Sequence, residues 1–123
     1  MNLIELLSLL FVHYFADFII QTDKQAKLKS ENNLIGFLQL LCHVSNYSLI
    51  LWIFSLILFE GQGNLAFNFC GITFISHLLI DYITSRINKK LWEDNKRHQF
   101  FMVIGFDQWL HYIQLLTTYF MLK

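Results

Sequence analysis

The sequence contains no proline, only two cysteines and five glycines, and few charges: Asp, Glu, Lys and Arg make up 15% of its 123 residues. Globular chains usually carry about 25% charged residues. The remaining composition points the other way, with 55% hydrophobic residues, thirteen Phe and a mean hydropathy of +0.45. A small water-soluble domain is therefore excluded in favour of a chain whose solvent is lipid. Nine basic residues balance nine acidic ones, so there is no electrostatic footprint for nucleic acid. The length allows one domain, residues 1–123, without a separate substrate or regulatory module. A Gly-rich phosphate loop, a Cys-x-x-Cys pair and a serine in a nucleophile-elbow context are all missing, as is any flexible linker. Cys42 and Cys70 fall inside apolar runs and read as small packing residues, not as a disulfide.

What the sequence does have is apolar runs of spanning length. Residues 34–59 contain no Asp, Glu, Lys or Arg, and this stretch exceeds the roughly 20 residues needed to cross a hydrocarbon core. Residues 3–20, 65–83 and 100–122 are also long enough, which predicts an all-α integral membrane bundle of four transmembrane helices. The first run carries Glu5, His13 and Asp17 and lacks a basic leader, so it reads as a retained span and not a cleaved signal. Segments 21–33 and 84–99 hold eight of the nine basic residues. Lys and Arg in short loops face the cytoplasm. Both termini are thus expected outside, in a multi-pass protein of the inner membrane. The segment 84–99 reads either as an amphipathic stretch on the cytoplasmic interface or as a solvated connector. A two-plus-two repeat is suggested by His13, Asp17, Phe18 and Ile19, which echo His77, Asp81, Tyr82 and Ile83.

The chemistry lies in the spacing of histidine and aspartate. Random placement of five of each would give about 0.4 pairs four residues apart. The chain has four: His13 with Asp17, His77 with Asp81, Asp107 with His111, and Asp94 with His98. Three of these pairs fall within apolar runs, where a four-residue step puts both groups on one helix face. Runs one and three read His then Asp, whereas run four, which crosses in the opposite direction, reads Asp then His. Each aspartate therefore sits about 3 to 7 residues and each histidine about 7 to 11 residues from the cytoplasmic end, roughly 5 to 16 Å deep. His43 in the second run joins the same layer. Asp94 and His98 lie in the basic segment and read as solvated. Gln21 extends the Asp17 face to the interface. Thr22, Asp23 and Lys27 could bind an anionic headgroup, although a helix cap explains them as well. Ser76 and Gln108 are turned about 100° from His77 and Asp107, which leaves them as residues that could at most support the ligands from behind.

An aspartate near the bilayer centre costs about 2.5 to 3.5 kcal/mol, and the basic residues sit in the loops, so intramembrane pairing with Lys or Arg is not expected. Protonation, hydrogen bonds to histidine, or a divalent cation remain as compensation. Interhelical hydrogen bonding needs one or two pairs, not a seven-group layer, and this favours a metal. Mixed imidazole and carboxylate donors suit a divalent transition metal, Zn, Mn or Fe, as one ion or as two sharing a carboxylate. The expected ligands are Asp17, His77, Asp81, Asp107 and His111. His13 and His43 are further ligands or proton acceptors, and Asp17 is also a catalytic candidate.

Three stretches carry a family resemblance: His13 to Lys27 (HYFADFIIQTDKQAK), Ser76 to Tyr82 (SHLLIDY) and Phe106 to His111 (FDQWLH). Together they resemble the small bacterial and phage integral-membrane proteins grouped as domain of unknown function 3307. The paired His and Asp are more distantly similar to those of bacterial membrane-bound metal-dependent hydrolases. That similarity implies a hydrolase acting from the cytoplasmic leaflet on a lipid or a lipid-linked phosphate or ester. The intramembrane His and Asp would also serve a proton-coupled or metal-ion transporter, working as a homo-oligomer. They would equally serve a non-enzymatic membrane protein whose polar core only fixes the bundle.

Overall fold

The computed structural model describes all 123 residues and is entirely helical. Helix α1 (Leu3–Tyr14) runs directly into a π-helical turn (Phe15–Ile19). A short α2 (Asp23–Leu28), α3 (Leu34–Leu58), α4 (Gly63–Glu93) and α5 (Arg97–Leu122) follow. Local chemistry sets the boundaries. Asn2 and Glu5 form a capping box at the start of α1, with Asn2 Oδ1 accepting from the Glu5 amide at 2.9 Å and the Glu5 carboxylate from the Asn2 amide at 2.8 Å. Thr22 and Gln25 do the same for α2, so Thr22 serves as a cap. Asn33 Oδ1 accepts from the Gly36 amide to open α3. The α3–α4 turn needs left-handed backbone at Glu60 (φ 54°) and Gly61 (φ 80°), and a glycine adopts that conformation without steric cost.

Two corrections concern the boundaries. The segment 84–99 is not a connector: α4 continues to Glu93, and only residues 94–96 turn before α5. Nothing between Ile72 and Glu93 breaks a helix, since that stretch has neither Gly nor Pro. At 31 residues α4 is about 46 Å long, which exceeds a bilayer's hydrocarbon thickness. Its turn into α5 is closed by Arg97, whose guanidinium lies 3.5 Å from the Trp92 ring centroid and donates to the Trp92 carbonyl. The first apolar run is also not one α-helix, because it ends α-helical geometry at Tyr14 and widens into the π turn that carries Asp17. Two helices, α3 and α4, are long and apolar enough to cross a membrane.

Helix α4 packs against both α3 and α5, while α1 and the π turn pack on α3. Burial is inverted relative to a water-soluble bundle. Thirteen buried residues are polar or charged against twelve apolar ones, and large apolar side chains such as Ile4, Phe11, Ile57, Phe67 and Met121 point outward. The apolar core gathers toward the end that holds Met1, the α3–α4 turn and Leu122. Leu9, Tyr47, Leu51, Phe69, Leu115 and Tyr119 are fully buried there. The buried His and Asp side chains gather toward the opposite end, which carries the basic segments.

Candidate metal centre

Five elements deliver the His and Asp side chains to one place. His13 comes from α1 and Asp17 from the π turn, His43 from α3, His77 and Asp81 from α4, and Asp107 and His111 from α5. All but Asp107 are buried, and all four histidines are at most 1% exposed. π turns commonly mark functional positions, and here the widened turn aims Asp17 inward.

The donor atoms converge. His43 Nε2 lies 3.1 Å from Asp17 Oδ1, 3.2 Å from His77 Nε2 and 3.4 Å from Asp81 Oδ2. His77 Nε2 lies 3.5 Å from Asp17 Oδ1 and 3.6 Å from Asp81 Oδ1. Ligand atoms at about 2.05 Å from a tetrahedral ion stand about 3.3 Å from one another, and these separations bracket that edge length. Asp17, His43, His77 and Asp81 thus form a four-donor group able to hold a metal ion. Asp17 also belongs to a second group with Asp107 and His111, as a bridging carboxylate would. His111 Nε2 stands 3.3 Å from Asp81 Oδ1 and 3.6 Å from Asp107 Oδ2.

The charges in the cluster are closely coupled. Two imidazolium N–H groups cannot face each other at 3.2 Å, so His43 and His77 share at most one proton or meet a cation. Counted as ionised, Asp17, Asp81 and Asp107 face one ammonium, that of the partly buried Lys29, and the rest of their charge is left to imidazolium or to a divalent cation. The rings are held in place by close ring contacts, stacked between His77 and His111 and tilted between His77 and Tyr47. His77 lies 4.2 Å from His111 and 4.0 Å from Tyr47 between centroids, and the Nδ1 atoms of His77 and His111 have no hydrogen-bond partner.

His13 stands outside both donor groups. Its Nδ1 accepts from the Tyr47 hydroxyl at 2.7 Å and its Nε2 donates to Gln108 Oε1 at 2.8 Å. The direction of this chain follows from its far end, where Gln108 Nε2 donates to Asp17 Oδ2 at 2.9 Å and Asp107 Oδ2 at 3.1 Å. Tyr47, His13 and Gln108 therefore orient two carboxylates. Gln108, which its sequence position makes at most a supporting residue beside the layer, thus contacts two of the carboxylates. Asp107 and Gln108 straddle the inner face of α5, and the longer Gln108 side chain reaches the centre. Its spacing of three to His111 and seven to Leu115 is the signal that could have found it. Ser76 makes no hydrogen bond to the layer, while Asp94 and His98 lie exposed, with Asp94 facing Lys96 at 3.6 Å.

A correction concerns charge pairing. Lys29, at the end of α2, folds back so that its Nζ lies 2.6 Å from Asp81 Oδ2. Burial disfavours the Lys29 ammonium, but the Asp81 and Asp17 carboxylates outweigh it, so the Lys29 pKa lies above the usual lysine value. Spacing could not reveal this contact, which depends on how α2 docks on α3. Thr84 adds a hydrogen bond from its hydroxyl to Asp107 Oδ1.

The cluster opens on one side. A cavity of about 480 Å³ has Asp17, Asp81, Asp107 and Gln108 at its floor, and Lys27, Lys89 and Trp92 toward its mouth. None of the histidines lines it, so the imidazoles hold the carboxylates from behind. The opposite side is closed by the packed Leu9, Tyr47, Leu51 and Leu115 side chains.

Residues 5–123 match the family described as Protein of unknown function (DUF3307), and the chain belongs to that family. No curated protein and no solved structure matches it.

Proposed function

We propose that this member of the family is a membrane-embedded, metal-dependent hydrolase that cleaves a phosphate or carboxylate ester of a lipid or lipid-linked substrate from the cytoplasmic leaflet. The observation that carries the reading is the set of imidazole and carboxylate atoms 3.1 to 3.6 Å apart beneath an open cavity. The membrane placement is supported by the two long apolar helices and by the apolar exterior over a polar interior. We read α1 with its π turn, and α5, as two further spans, with both termini outside. The eight basic residues of segments 21–33 and 84–99 then mark the cytoplasmic end, where the cavity opens.

Asp17, His43, His77 and Asp81 would hold a Zn, Mn or Fe ion. Such an ion lowers the pKa of a bound water toward about 7 and polarises a phosphoryl or carbonyl oxygen. The remaining work falls to residues of the chain. Asp107, fixed by Thr84 and Gln108 on the cavity wall, takes the proton of the attacking water. The water oxygen bonds to the ester phosphorus or carbonyl carbon, the bond to the leaving oxygen breaks, and that oxygen receives the proton held by Asp107 to give an alcohol. Gln108 holds the Asp17 and Asp107 carboxylates in register during the exchange. Lys29 at the cavity wall offsets their negative charge and favours an anionic substrate.

Closure of the cluster on its far side supports an enzyme over a carrier, because a transported ion needs a second exit. The test is metal analysis of detergent-purified protein, followed by phospholipid turnover with each metal. Stoichiometric metal together with released headgroup or free acid is expected. Bound metal with cation flux into vesicles and unchanged lipid would support a carrier instead. Metal-free protein after reconstitution with all three ions would leave the cluster as a structural core.

A further inference from the structure

We infer that Asp17, Asp107, Gln108 and His111 form a second, oxygen-rich cation site on the floor of the cavity, and that Gln108 turns its amide to ligate an ion there. The inference deepens the metal-dependent reading above but rests on a different set of atoms. Asp17 divides its two oxygens. Oδ1 faces the first donor group, 3.1 Å from His43 Nε2 and 3.5 Å from His77 Nε2, whereas Oδ2 faces Gln108 Nε2 at 2.9 Å. The same amide nitrogen lies 3.1 Å from Asp107 Oδ2, which stands 3.6 Å from His111 Nε2. Asp17, Asp107 and His111 each bring one ligand atom within 4.8 Å of the others. Asp17, Asp107 and Gln108 line the cavity, so an ion entering it meets them without passing the buried histidines of the first group.

Charge at this floor favours a cation. The carboxylates of Asp17, Asp81, Asp107 and Glu93 line the cavity together with only three lysines. Of these, Lys29 is held by Asp81 at 2.6 Å and Lys89 by Glu31 at 2.8 Å. The ionic partners of Asp17 and Asp107 are imidazoles alone, so a neutral amide NH2 is what separates their Oδ2 atoms. Ligand atoms about 2.1 Å from an octahedral ion stand about 3.0 Å apart, and the 2.9 and 3.1 Å separations match that edge. Half a turn of the amide exchanges Oε1 and Nε2 with little change of shape. Oε1 then faces both carboxylates, an arrangement that repels unless a cation lies between the three oxygens. Nε2 in turn donates to His13 Nε2, and His13 carries its proton on Nδ1 and donates to the Tyr47 oxygen. Both links of that chain, 2.8 and 2.7 Å long, persist with donor and acceptor exchanged and with no net uptake of protons. The Tyr47 hydroxyl hydrogen loses its acceptor, so the chain reverses only when an ion is bound. Three oxygens with one imidazole suit manganese better than zinc. Sharing Asp17 places two divalent charges about 3.5 to 4 Å apart, so the second site fills only in excess metal.

The probe is manganese added to chelator-stripped protein in detergent that has first received one equivalent of zinc. Bound manganese is read from the loss of its free-ion EPR signal, and zinc by elemental analysis. One manganese per chain beside one zinc is expected. Asp107→Asn should weaken manganese binding more than about 100-fold, with zinc still at one per chain and helix content unchanged. Gln108→Glu, which puts a carboxylate oxygen where the amide oxygen ligates, should tighten it at least about tenfold. With diamagnetic magnesium in place of manganese, nitrogen NMR of labelled histidine should show the His13 proton move from Nε2 to Nδ1. No manganese beyond the zinc, manganese that only displaces the zinc, or binding that survives Asp107→Asn would overturn the second site. An unchanged His13 tautomer at saturation would overturn ligation by Gln108. In the hydrolase reading Asp107 takes the proton of the attacking water, so filling the second site should also slow turnover. Two ions per chain with no ester turnover at any occupancy would remove the hydrolase reading and leave the second site standing.

Discussion

Asp81→Asn separates the two roles that the structure gives to one carboxylate. Asp81 is a donor of the four-atom group and the partner of Lys29 at 2.6 Å. At that distance the gross attraction is about 6 kcal/mol for an effective dielectric near 20, and desolvation of both ions removes a large part of it. Breaking a buried pair from one side typically costs about 3 to 5 kcal/mol, because the remaining charge is stranded. The Lys29 side chain keeps 15% exposure and access to the cavity, so about 2 to 4 kcal/mol is expected here. Loss of a second-sphere partner lowers metal affinity about 10- to 100-fold, so loss of a donor should exceed 100-fold. The assay pairs metal content per chain with thermal unfolding in detergent, for wild type, Asp81→Asn, the double variant Lys29→Met with Asp81→Asn, and the exposed control Asp94→Asn. Asp81→Asn should lose both metal and stability. The double variant should regain most of the stability, since no ammonium is stranded, but no metal. Stoichiometric metal in Asp81→Asn, or metal restored by the second substitution, would refute the reasoning.

Three further outcomes follow from the same contacts. Gln108→Leu removes the link from His13 to Asp17 and Asp107; metal should still bind, about 10- to 100-fold more weakly, in a competitive chelator titration. Tyr47→Phe keeps the ring that packs against His77 but leaves His13 Nδ1 unpaired; a loss of about 1 to 3 kcal/mol should appear in thermal unfolding with metal stoichiometry unchanged. Gly36→Ala drives a Cβ into the Glu31 backbone, so the segment that carries Lys29 must shift. The expected cost is about 1 to 3 kcal/mol, and it should largely disappear in a Lys29→Met background if the Lys29 contact is what is lost.

The helical class and the membership of the site follow from features that survive without tertiary information. Long apolar runs that carry few ionisable groups besides His and Asp read as helices whose polar groups face inward, as a chain surrounded by lipid would require. The four-residue spacing of His13 with Asp17, His77 with Asp81 and Asp107 with His111 places each pair on one face, and the reversed order in the last pair puts all of them at one depth. Spacing along single helices determines depth and face, but not which side chains meet across helices. That Lys29 leaves its basic segment for Asp81 depends on the docking of α2 against α3. That Gln108 rather than His13 touches the carboxylates depends on the rotation of α5 and on side-chain length. That α4 remains helical to Glu93, past the apolar run, is likewise something to which hydropathy is indifferent. The sequence by itself thus determined a helical chain with imidazoles and carboxylates in one layer; only the tertiary structure decided the donor distances, the lysine counter-charge and the side on which the layer opens, since those arise between residues far apart along the chain.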